Sequence, residues 1–181
     1  MQRISGILAA LLFSPVLLFS QVAPSARGGA PPIVVGGYFS SFSPDYGPNR
    51  LYGAGVYVDW DAFGRLGAEG EARFLRFHQA SDVHEDNYLV GPRYSFRHRN
   101  FQPYAKFLLG AGEINFQNNI AHGGFFAMAP GGGLDYRLGW RWRVRGDYEY
   151  QIWASAPGLP GQRSNGLSPQ GFSVGVGYRL F

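Results

Sequence analysis

Cysteine is absent from the 181 residues. Its absence excludes disulfide staples, thiolate metal ligands, cysteine nucleophiles and a lipid-modified N-terminal cysteine. Charge is also scarce, at 15% of residues. The lysines and arginines are scattered along the chain without a cluster, and the net charge is +4. That distribution argues against nucleic acid as a partner. Beyond residue 26 no stretch is apolar for long enough to cross a bilayer as a helix.

Glycine (27 residues) and aromatics (17%) are abundant, which suits many strands in close backbone contact rather than a helical bundle. The stretch 128–153 shows the pattern most clearly. From Trp142, the residues Trp142, Val144, Gly146, Tyr148, Tyr150 and Ile152 alternate with Arg143, Arg145, Asp147, Glu149 and Gln151. Period two gives one apolar and one charged strand face. Before the turn at 138–141, Met128, Pro130, Leu134 and Tyr136 oppose Ala127, Ala129, Gly131, Gly133, Asp135 and Arg137. A soluble sheet would bury the apolar face. A transmembrane barrel would turn it toward lipid.

An export signal favours the second solution. Residues 1–26 read as a cleavable signal peptide and entry segment: Arg3 is the positive start, 7–19 an apolar run broken by Pro15, and Ser20, Ala23 and Ala26 the small residues near a cleavage site. Residues 27–181 then form one domain. Eight strands are expected there, at about 33–42, 51–60, 66–78, 87–97, 102–114, 128–137, 142–153 and 169–181, with a bulge near Phe74-Leu75. The connections alternate long and short, the long ones falling at 43–50, 79–86, 115–124 and 154–168. Strands of about 9–11 residues match the tilted span of a bilayer, and alternating loops and turns with both termini on the short-turn side are the up-and-down arrangement of outer membranes. Trp60, Trp140 and Trp142 beside short turns, and Trp153 beside the longest loop, are expected to form an aromatic girdle.

The chain resembles the small OmpA/OmpX-type barrels of the outer membrane β-barrel domain family over residues 33–181. The likeness rests on Gln102-Pro103-Tyr104-Ala105-Lys106 opening a strand, on the run from Gly131 to Leu138, on the Arg/Asp/Glu strand after it, and on a terminal strand ending in Phe181. In one departure, Leu180 rather than Phe181 shares the apolar parity. The resemblance implies an eight-stranded antiparallel up-and-down transmembrane barrel in the cell outer membrane. It implies membrane lipid as one partner and the barrel-insertion machinery, through the C-terminal strand, as another. A monomer is expected.

In such a fold Glu69, Glu71, Arg73, Arg93, Lys106, Asp135, Arg137, Arg143, Arg145, Asp147 and Glu149 point into a narrow lumen. An eight-stranded barrel is just wide enough to be filled by side chains, so these residues read as a paired polar plug, with a gated ion path as the less favoured reading.

Chemistry is thin elsewhere. His78 and His84 flank Asp82, Glu85 and Asp86 without an established metal-ligand spacing. Ser81 beside these histidines has no motif that fixes a triad. The glycines at 131–133 precede no helix, so they are no phosphate loop and read as room for large neighbours. No enzyme, cofactor or metal is expected. The leading function is a structural or surface-interaction barrel whose loop ligands the sequence does not name. A narrow channel, an outer-membrane lipid-modifying enzyme and, last, a soluble lipocalin-like binder are the alternatives.

Overall fold

A computed structural model describes residues 31–45, 49–77, 84–115, 122–154 and 166–180. The signal segment, most of each long loop, His78, Ser81, Asp82 and Phe181 lie outside the described residues. The strands are β1 (Ile33–Ser43), β2 (Leu51–Phe63), β3 (Leu66–Phe77), β4 (His84–Ser95), β5 (Phe101–Asn115), β6 (His122–Arg137), β7 (Trp142–Tyr150), β8 (Ile152–Ala154) and β9 (Gln170–Arg179). All pairings are antiparallel, in the order β5-β4-β3-β2-β1-β9-β7-β6, and β5 pairs with β6 to close the ring. β8 continues β7 across Gln151 and pairs with β6 on one side; on the other, the Gln151 N–H donates to Pro169 and Trp153 exchanges backbone bonds with Leu167. The barrel therefore has eight staves. Closure leaves no unpaired edge, which hydrocarbon does not tolerate.

Alternation decides which side chains go where. On β2, Val56, Val58 and Trp60 are exposed on the outside while Tyr57 and Asp59 are buried inside. On β9, Phe172, Val174 and Val176 face out and Ser173 faces in. The apolar face is thus the outer one, and the lipocalin-like arrangement, which needs it inside, is excluded. Along β5 the outward positions run Phe101, Pro103, Ala105, Phe107, Leu109 and Ala111 before turning polar at Glu113 and Asn115. That apolar stretch rises ~25 Å at about 3.4 Å per residue and a tilt near 40°, the height of an outer-membrane hydrocarbon band.

The strand ends depart from expectation at the long-loop side. β4 begins at His84 rather than 87 and β6 at His122 rather than 128, so the 79–86 and 115–124 connections are partly ladder. Period-two hydrophobicity fades there because outward residues that have left the lipid band need not be apolar. The β2–β3 register shifts between Tyr52 and Gly53, which pair with Phe77 and Leu75 and leave Arg76 as the extra residue. Inward parity therefore holds through Leu75, and the bulge follows it. A second shift, between Trp60 and Phe63, precedes the tight turn in which Gly64 takes a positive φ of 73°.

Candidate functional site: the charged lumen

The interior is filled from the walls inward. Tyr57 lies across Gly36 and Gly177, where an added Cβ would stand 2.4 and 2.3 Å from its ring and hydroxyl. Gly133 makes the same room for Tyr104. These rings are platforms for guanidinium groups: Arg145 stacks 3.7 Å over Tyr57, Arg93 3.9 Å over Tyr104, and Arg73 4.2 Å over Phe42.

Two linked clusters follow. In one, Arg93, Arg143 and Arg145 converge on Asp59 and Asp135. Asp135 accepts from Arg93 at 2.5 Å, Arg145 at 2.8 Å and Arg143 at 2.9 Å. Asp59 accepts from Arg145 at 2.5 Å, is bonded by Arg93, and lies 3.4 Å from Arg143. In the other, the Lys106 ammonium lies 3.0 Å from Glu69 and Glu149 and 3.1 Å from Glu71 and Asp147. Arg73 completes that cluster through Glu149 at 2.8 Å and Glu71 at 2.9 Å. Glu69 joins the two by also accepting from Arg145 at 3.1 Å. Buried charges persist only when paired and hydrogen-bonded, and nearly every oxygen here is engaged.

The network crosses the whole bore. β3 and β7 stand on opposite walls of the ring, with β2, β1 and β9 between them one way and β4, β5 and β6 the other. Arg73–Glu149 and Arg145–Glu69 both span that diameter. Toward the long loops an apolar layer follows, in which Leu89, Leu108, Ile114, Ala127, Ala129, Trp153 and Leu167 pack together.

Of the residues expected in the lumen, Glu69, Glu71, Arg73, Arg93, Lys106, Asp135, Arg143, Arg145, Asp147 and Glu149 are buried and joined in this network. Arg137 is not. It sits half-buried at the short-turn rim, because its strand ends there and the lumen opens. Trp60, Trp140 and Trp142 are exposed on the outer surface at that same end. Trp153 requires a correction. It is fully buried, donating its indole N–H to Gln151 at 2.7 Å and packing against Phe125. Its parity is that of Arg145, Asp147 and Glu149, so it caps the lumen instead of anchoring at the interface. Asp59 was the member missed, although its parity opposite Val56, Val58 and Trp60 pointed inward. Tyr57, Tyr104 and Gln151 are uncharged members of the same inward rows, and formal charge alone does not single them out.

An apolar exterior, a closed ring and an ionic core leave one class of protein. The pattern of the outer membrane protein beta-barrel domain matches residues 8–179. The chain belongs to that family.

Solved outer membrane barrels share its fold. Neisserial surface protein A superposes with a TM-score of 0.65 at 10% identity, covering 81% of this chain and 95% of its own. The N-terminal barrel domain of Pseudomonas aeruginosa OprF gives 0.59 at 15% identity, covering 84% and 99%. Ail of Yersinia pestis, in complex with the heparin analogue sucrose octasulfate, gives 0.56 at 16%, covering 84% and 100%. No curated protein matches significantly. At these identities the likeness carries the architecture, and architecture alone does not name a role. Among the described residues no group of three His, Asp or Glu is placed to hold a metal ion.

Proposed function

We propose that this outer membrane barrel is a closed, surface-interaction protein rather than a channel or an enzyme, exported by cleavage of a signal peptide within residues 1–26. The observation that carries the reading is the pair of diameter-spanning ion pairs, Arg73–Glu149 and Arg145–Glu69, set in a network with both ends tied to the walls. Ions moving along the axis would have to break several charge-assisted hydrogen bonds at once. The long loops at 43–50, 79–86, 115–124 and 154–168 are the surfaces left for partners. The C-terminal strand would serve insertion, and the chain would act as a monomer.

Ail shows that a barrel of this fold can receive a polysulfated ligand. This chain is charged differently. Among the described residues near its long loops, Asp45, Asp86 and Glu113 outnumber Arg50 and Arg76, which favours neutral or cationic partners over polyanions.

Planar bilayer recording of the refolded protein tests the plug. The expected result is no steady conductance, and a large persistent current would establish the channel reading instead. Lipid A analysis of a deletion strain separates the enzyme reading, with an unchanged profile expected.

A further inference from the structure

Basic residues that are scattered along the sequence gather at one end of the barrel. Among the described residues, Arg65, Arg97, Arg99, Arg137, Arg141 and Arg179 stand at the short-turn end against one acid, Asp61. Asp61 is already paired with Arg97 at 3.2 Å. Arg137, Arg141, Arg143 and Arg179 line a single cleft there, beside Trp140 and Trp142, with Asp61 on its wall.

The cleft is partly preorganised. Arg141 stacks 3.9 Å over the Trp140 ring and donates to the Tyr178 hydroxyl. Trp142 meets Tyr178 edge-on at 5.0 Å. Arg137 makes no ion pair among the described residues. Arg143 is already neutralised by Asp135 at 2.9 Å, so the repulsion that an anion would relieve is that of Arg137 and Arg141 with their basic neighbours. Guanidinium forks fit phosphate oxygens in shape as well as charge. The cleft is small, about 20 Å³, which is room for a phosphate oxygen.

Its depth identifies the source of the phosphate. Next to the cleft the outer surface becomes apolar at Val144 and Val176, and Trp140 and Trp142 mark the boundary. Interfacial tryptophans sit at headgroup level, and in this family short turns face the periplasm. We propose that the cleft binds the phosphate of an anionic phospholipid from the periplasmic leaflet, with its acyl chains lying along Val144 and Val176.

The test uses the mature protein in vesicles of phosphatidylcholine and phosphatidylglycerol, with bromine on the acyl chains of one lipid at a time. Bromine quenches the fluorescence of nearby tryptophans. At equal mole fraction, brominated phosphatidylglycerol should quench more strongly. The double variant Arg137→Gln/Arg141→Gln should lower that preference about fivefold or more. Heat-modifiable gel migration checks that it folds. A control, Arg65→Gln/Arg99→Gln, removes the same charge outside the cleft and should keep the preference. Equal quenching by both lipids would overturn the proposal, and so would loss of the preference in the control. Inorganic phosphate that binds in zwitterionic micelles while the vesicles show no preference would replace the lipid by free phosphate. Retention on purified peptidoglycan in place of lipid preference would overturn it in favour of the wall.

Discussion

A lysine ammonium has three protons to donate, and Lys106 has four carboxylates within 3.1 Å to receive them. Removing it would leave Glu69, Glu71, Asp147 and Glu149 buried with one cation fewer, held only by Arg73, Arg145 and the Tyr104 hydroxyl. Lys106→Met should therefore cost about 3–5 kcal/mol, the penalty for breaking a buried charge network from one side. Urea unfolding in lipid vesicles would measure it, and a loss under about 1 kcal/mol would mean that water reaches the cluster. Most of these residues were legible one by one, because parity alone sends Glu69, Arg73 or Arg145 inward. Their partners were not legible. Nothing in the spacing of Arg73 and Glu149, 76 residues apart, says that they meet. Trp153 shows the converse: a tryptophan beside a long loop suits an interface, but its inward parity takes it into the lumen.

Strands fix which atoms meet lipid, and this can be probed one face at a time. Val174 is the middle outward position of β9, and Val176, the register partner of Val144, lies one step nearer the tryptophan end. Val174→Arg should destabilise the folded barrel by roughly 2–4 kcal/mol in bilayers, and Val176→Arg, nearer the interface, by less. Refolding yield against urea in vesicles is the measurement. Unchanged stability for both would place these positions outside the hydrocarbon. Strand centres were readable because lipid on one side and ionic contacts on the other enforce alternation. The loop-side starts at His84 and His122 were not, since above the band neither constraint acts on the outward positions. The β3 bulge, expected near Phe74-Leu75, falls just beyond, at Arg76, where the outward side chain pairs with Asp86 at 2.8 Å.

At the scale of the whole molecule, closure does two things. It pairs β5 with β6, and it brings strands distant in sequence face to face across the bore. The absence of cysteine makes the orientation easy to map: Arg99→Cys, at the tip of the 96–100 turn, would be the one thiol in the chain. A membrane-impermeant maleimide added to intact cells should leave it unlabelled, and labelling should appear once the periplasm is opened. Labelling of intact cells would invert the barrel. The sequence by itself determined that the chain is built from alternating strands with long and short connections, because period two is a local property written into neighbouring residues. It also determined which side chains share a face, since parity carries along a strand. Only the tertiary structure decided which charges neutralise one another, that Trp153 caps the lumen, and that scattered arginines become one basic rim. Those depend on register and ring closure, which set distances between residues that no local pattern relates.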